Sequence, residues 1–171
     1  MILSDKIAEW LGHKGIEYAY GIIGAGNITL WDAIARRGQT QIVCCHHEQA
    51  AVLAAGFGFR TNGRLAAAIV TTGAGQANAI TGAISLSMDS TPALILSGNE
   101  PSKYMAGLTR TLGVQGFDIV RMMCETVKYA RRPTSIGATM LVLEEAYREA
   151  LAPRQGPVWI DLCRDIQGLN V

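Results

Sequence analysis

Apolar residues along the chain fall into two alternating kinds of run. Stretches with apolar positions three and four apart read as helices, and short blocks that are apolar throughout read as buried strands. The first helix is predicted over about residues 5–14, with Ser4 as its cap, Ile7, Ala8 and Leu11 on one face and Gly15 as its stop. "YAYGII" (18–23) follows as a strand running into the turn Gly24-Ala25-Gly26-Asn27, and a second helix is expected near 28–37, closed by Gly38. "QIVCC" (41–45) reads as a buried strand, and "EQAAVLAAGFGFR" (48–60) as a helix apolar on nearly every side and therefore buried. The strand "LAAAIVTT" (65–72) turns through "GAGQAN" (73–78) into the helix "AITGAISLSM" (79–88). "PALILSG" (92–98) is a strand, 99–113 a loop, 114–124 a short helix and 126–130 a strand. A long helix over 135–152 and the strand "GPVWIDL" (156–162) complete the pattern.

Apolar strands alternating with helices predict an α/β fold: a doubly wound, mainly parallel sheet of about six strands with helices on both faces. The 171 residues make one domain, without linker, repeat or low-complexity segment. Function in such sheets sits at the carboxyl ends of the strands. Four groups fall there: Gly24-Ala25-Gly26, His47-Glu48, Thr72-Gly73-Ala74-Gly75 and Gly98-Asn99-Glu100.

Composition narrows the setting. With 49 % apolar and only 17 % charged residues, the surface is either partly covered by another subunit or belongs to a core-rich monomer. Net charge is +1 and the basic residues are scattered, so nucleic acid is not expected as a partner. No apolar run reaches the roughly 18 residues of a membrane span. The N-terminus lacks the basic-then-apolar layout of a signal peptide. Four cysteines do not make a disulfide framework in a chain this long, and a reducing, cytoplasmic location is expected.

"CCHHE" (44–48) concentrates potential ligands, yet a structural zinc site draws its four from separated positions. Side chains along a strand alternate faces, Ala51 stands where H-E-x-x-H needs its second histidine, and no second cluster exists. No metal is assigned to this chain, and the cysteines read as small core hydrophobes. Glu48 keeps two readings. It can complement the dipole of the helix it begins, or, in alanine-rich surroundings that favour its protonated form, it can transfer protons. The Gly24-x-Gly26 turn begins like a dinucleotide fingerprint, but Thr29 replaces the third glycine and no acid follows the second strand. "TTGAGQAN" lacks the ending of a P-loop; it is a tight turn or a site for a ligand on backbone amides.

Taken in order, several segments resemble the pyrimidine-binding domain of thiamine-diphosphate enzymes, and within them the acetolactate synthase branch. They are Gly21 through Gly26, His47-Glu48-Gln49-Ala50-Ala51, Thr71-Thr72-Gly73-Ala74-Gly75-x-x-Asn78, Met88-Asp89-Ser90-x-Pro92, Leu96-Ser97-Gly98, Gln115, Lys128 and Gly156-Pro157-Val158-x-x-Asp161. The resemblance runs from about Ile2 to Ile166. It implies that Glu48 bonds to a nitrogen of the cofactor's aminopyrimidine and drives the tautomer that deprotonates the thiazolium. The carbanion so formed attacks a 2-oxo acid, which loses carbon dioxide, and carboligation or aldehyde release follows. The cofactor performs this chemistry and the protein aims it.

The resemblance also implies Gln115 as a catalytic residue reaching the reacting carbon. Gly24, Ala25, Gly26, Thr72, Gly73, Gly75 and Asn78 would lie at the cofactor, the first three at a turn used near substrate, and His47 is a weaker substrate candidate. Val114 and Gly116 depart from the family pattern, where an aromatic and an acid are common, so the acceptor is left open. The family's second half binds diphosphate through Mg²⁺ with a Gly-Asp-Gly motif, and no Gly-Asp-Gly occurs in this sequence. The expectation is therefore a single pyrimidine-binding domain, active only with a separate diphosphate-binding subunit that holds the Mg²⁺, in a hetero-oligomer with at least two copies of this chain. A subunit of a sulfopyruvate or phosphonopyruvate decarboxylase and a non-catalytic assembly subunit are the competing readings.

Overall fold

Six strands form one sheet in the order β2-β1-β3-β4-β6-β5, and every neighbouring pair is parallel. This is a computed structural model, and it describes residues 1–105 and 109–171. Along the chain the elements are α1 (Leu3–His13), β1 (Tyr18–Gly21), α2 (Ile28–Arg37), β2 (Gln41–Cys44), α3 (Glu48–Asn62), β3 (Ala67–Val70) and α4 (Ala74–Met88). Then come β4 (Leu94–Asn99), a 3₁₀ turn over Ser102–Tyr104, α5 (Ile119–Met123), β5 (Tyr129–Arg131), α6 (Ile136–Leu151), β6 (Val158–Cys163) and α7 (Arg164–Gln167). The doubly wound α/β expectation holds.

Two apolar cores sandwich the sheet. On one face, Leu3, Ile7 and Leu11 of α1, Leu30 and Ile34 of α2 and Leu143 of α6 pack on Ile69, Leu94, Leu96 and Ile160. On the other, Val52 and Ala55 of α3, Ala79, Ala83 and Leu86 of α4 and Ile119 of α5 pack on Ala68, Val70, Ile95 and Trp159. Strands β3, β4 and β6 are buried at every position, which is why they read as unbroken apolar runs.

Several boundaries differ from expectation. Ser4 does not cap α1. Ile2 holds that position, its N–H bonded to Asp5 Oδ2 at 2.9 Å, while Ser4 lies inside the helix and donates to Gln167 O at 3.1 Å. β2 is not buried: it is an edge strand with exposed or half-exposed residues throughout. Cys44 is therefore exposed and Cys45 half-buried; Cys124, at the end of α5, is exposed as well, and of the four cysteines only Cys163 is a core residue. α3 buries one face, through Ala51, Val52, Ala55 and Gly56, and leaves Ala50 and Phe57 exposed. The helix predicted over 114–124 shrinks to Ile119–Met123, because Leu112 and Gly116 pair as an antiparallel bridge around Gly113 at φ +67°. Residues 106–108 of the predicted loop lie outside the described residues.

Candidate active site

The strand order reverses between β1 and β3, since the chain runs outward to β2 on one side and to β4 on the other. Loops leaving the carboxyl ends of strands at such a point diverge and open a crevice. The Gly24–Gly26 turn follows β1 and the Thr72–Gly75 turn follows β3, so both lie at this switch point.

Helices α3 and α4 lie unusually close, which places their first turns side by side. A β-carbon on Gly82 would stand 2.9 Å from Val52 Cβ, and one on Gly56 would run into the tip of Leu86. At the mouth of this contact Glu48, the first residue of α3, is only 8 % exposed. Its Oε2 accepts from Asn78 Nδ2 of α4 at 3.1 Å. Its Oε1 lies 3.1 Å from where a β-carbon on Gly75 would be, so the absence of a side chain there leaves the carboxylate room. His47 is the N-cap of α3: its Nδ1 accepts from Gln49 N at 3.2 Å, and the ring is exposed.

The two glycine turns stack on each other. Gly26 N donates to Thr71 Oγ1 at 3.2 Å, and Asn27 closes its own turn by accepting from Gly24 N at 2.8 Å. Side chains at Gly24 and Gly26 would collide with Thr71 and Thr72; Ala25, between them, is exposed. Thr72 is buried and donates to Gly98 O at 3.3 Å. Gly73 adopts φ +71° as the N-cap of α4, a conformation that side chains disfavour. Gln115 is exposed and lies on the far side of this turn, its Nε2 donating to Thr72 O at 3.3 Å.

Glu48, Gly75 and Asn78 are thus brought into contact, and Thr72, Gly73 and Gln115 form an adjoining group. Gly24 and Gly26 back onto both through Thr71 and Thr72. His47 has a capping task, which the sequence did not disclose. Among the described residues, no group of three or more His, Cys, Asp or Glu side chains could hold a metal ion.

Beneath the turns lies a buried polar group whose extent sequence reasoning missed. Asp161 of β6 is fully buried and accepts from Ser97, Gln76, Asn99 and Arg132 at 2.6–2.8 Å. Burial pushes its carboxyl up, while the Arg132 charge and the donated hydrogen bonds pull it down. Asp161 and Asn99 stood out in the sequence. Gln76 and Arg132 carried no signal, one inside a small-residue turn and the other in a basic pair.

Residues 1–122 match the family described as "Thiamine pyrophosphate enzyme, N-terminal TPP binding domain". The chain belongs to that family. It is 31 % identical over 170 residues to the acetolactate synthase large subunit of Haemophilus influenzae, an alignment covering 98 % of this chain and 28 % of the relative. Identity is 29 % over 164 residues to the acetolactate synthase isozyme 1 large subunit of Escherichia coli, covering 96 % and 28 %. Against the acetolactate synthase large subunit of Lactococcus lactis it is 29 % over 171 residues, covering 98 % and 28 %. The chain spans about 28 % of the length of these relatives. It is a pyrimidine-binding domain of the acetolactate synthase-like thiamine diphosphate enzymes. Among the described residues no helix is long and apolar enough to cross a membrane.

Proposed function

We propose that this domain forms the pyrimidine-binding half of a thiamine diphosphate enzyme that decarboxylates a 2-oxo acid, followed by carboligation or aldehyde release. The observation that carries the reading is Glu48: an 8 % exposed carboxylate, contacted by Asn78 and spared by Gly75, at the switch point of the sheet. These residues fit an aminopyrimidine. Glu48 offers an acid beside an apolar helix, Asn78 holds one of its oxygens, and Gly75 leaves open the space at the other.

Thiamine diphosphate, when bound, supplies the carbanion chemistry that a 2-oxo acid requires and that no side chain provides. Glu48 would be the residue to hold or pass a proton at a nitrogen of the pyrimidine ring. Asn78 fixes the orientation of the carboxylate. The Thr72–Gly75 turn and the Gly24–Gly26 turn would offer a ring held there backbone rather than side chains. Gln115, bonded to Thr72 O beyond the Gly73 turn, would be the residue to reach the reacting carbon, and His47, exposed at the head of α3, would be available to substrate.

The diphosphate and its Mg²⁺ fall to a diphosphate-binding domain in a separate subunit. An uncharged, exposed face of α4 supports such a cover: Ala74, Ala77, Asn78, Thr81, Ser85 and Met88, the last 75 % exposed. Ile23, Ile28 and Val114, at the carboxyl end of the sheet, are 60, 55 and 84 % exposed and extend the apolar rim. Glu48→Gln tests the assignment in the assembled enzyme with thiamine diphosphate, Mg²⁺ and a 2-oxo acid. Turnover is expected to fall by the ~10²–10⁴-fold of a lost general acid–base, with assembly intact. Equal turnover in the mutant would refute it and favour a non-catalytic assembly role.

A further inference from the structure

The buried carboxylate of Asp161 takes no part in the chemistry above, yet its two oxygens serve two different walls of the site, which meet at Gly73. Oδ1 accepts from Ser97 Oγ at 2.6 Å and from Gln76 Nε2 at 2.8 Å. Gln76 lies in the first turn of α4, and its Oε1 accepts from Gly73 N at 3.4 Å. The Oδ1 side therefore steadies the turn from which Asn78 reaches Glu48. Oδ2 accepts from Asn99 Nδ2 at 2.8 Å and from Arg132 Nε at 2.7 Å. Asn99 Nδ2 also donates to Phe117 O at 3.3 Å, and Arg132 Nη2 pairs with Asp118 at 2.8 Å. The Oδ2 side therefore steadies the segment that carries Gln115.

Stability alone does not account for this arrangement. A buried ion pair is often no more stabilising than apolar side chains of the same volume, because desolvation offsets the attraction. What the carboxylate adds is direction: two oxygens at fixed angles, each saturated by two donors. Where the two walls meet, the tolerance is small. A β-carbon on Gly73 would stand 2.5 Å from Gln115 O, and Gln115 Nε2 is bonded to Thr72 O.

We infer that Asp161 is a positioning residue, which fixes the Gly73–Asn78 turn and the Gln115 segment relative to each other. Its consequence for catalysis rests on the function proposed above; the geometry does not, and is measurable without cofactor or partner.

The test uses the full chain labelled with ¹⁵N, with the side-chain amide signals of Asn78 and Gln115 as reporters of the two walls. Asp161→Asn leaves one acceptor oxygen for four donors. Both signals are expected to shift in a variant that remains folded by circular dichroism. Thr40→Val is the control: it removes a buried hydrogen bond, from Thr40 Oγ1 to Ile16 O at 2.8 Å, at the opposite end of the sheet, and should move neither signal. Should Asp161→Asn fail to fold, Gln76→Ala and Asn99→Ala cut one arm each. The first is expected to shift Asn78 and the second Gln115. A folded Asp161→Asn with both signals unmoved, arm variants without effect on their own reporters, or equal shifts in Thr40→Val would overturn the inference. The Glu48→Gln turnover experiment is unaffected by any of these results.

Discussion

The close approach of α3 and α4 makes a prediction that contact distance alone would get backwards. Gly56 and Gly82 both sit where the two helices meet, and alanine at either position adds one methyl group. In a helix interior this exchange is worth up to about 1 kcal/mol in favour of alanine. At Gly56 the three atoms nearest the new β-carbon all belong to the outer part of the Leu86 side chain, whose displacement costs roughly 0.5–1.5 kcal/mol of rotamer strain. The two terms nearly cancel, so Gly56→Ala should lie within about 0.5 kcal/mol of wild type. At Gly82 the β-carbon meets Val52 Cβ at 2.9 Å and the backbone oxygen of Gln49 at 3.1 Å, neither of which moves without α3. Overpacking of that kind costs about 1–3 kcal/mol, which at mid-range leaves Gly82→Ala destabilised by about 1 kcal/mol after the helix gain. In a domain of this size that lowers the melting temperature by about 2–4 °C. Urea unfolding followed by tryptophan fluorescence would read both variants. A more damaging Gly56→Ala, or a Gly82→Ala as stable as wild type, would contradict this packing of α3 on α4.

Other consequences follow from single contacts. Asp5 is held below the ordinary carboxylate range, first by the N–H of Ile2 and then by Arg36, so the stability it contributes is present above about pH 4 and lost as pH falls through its depressed value. Asp5→Asn should flatten the acid side of a stability-versus-pH curve and leave its slope above neutrality unchanged; an unaltered acid slope would contradict this. On the exposed face of α4, Ala77→Glu should change folding stability by no more than about 0.5 kcal/mol yet prevent assembly with a diphosphate-binding subunit. Normal assembly by that variant, measured by analytical ultracentrifugation, would remove α4 from the interface.

Much of the fold was legible because parallel strands are apolar throughout and glycine marks their turns. The position of each strand in the sheet was not. Nothing local in "QIVCC" says that β2 lies at an edge, so its cysteines were expected inside and Cys44 is exposed. Helix α4 begins at Ala74, five residues before its predicted start, because Gly73 caps it and a loop-like Ala-Gly pair forms its first turn. Glu48 and Asn78 were both identified as site residues, and the structure puts them in contact across two helices. The Gln76–Asp161 bond spans 85 residues of sequence, and such pairing leaves no trace in spacing or periodicity. His47 was read for its neighbours, while its capping bond depends on how α3 begins.

On the function proposed above, Glu48 meets the pyrimidine of thiamine diphosphate in a site completed by a diphosphate-binding subunit. A structure of the assembled complex with cofactor and Mg²⁺ tests it most directly. The predicted result is a carboxylate oxygen of Glu48 within the roughly 2.6–3.2 Å of a hydrogen bond to a nitrogen of that ring. A ring bound elsewhere, with Glu48 facing bulk water, would contradict it.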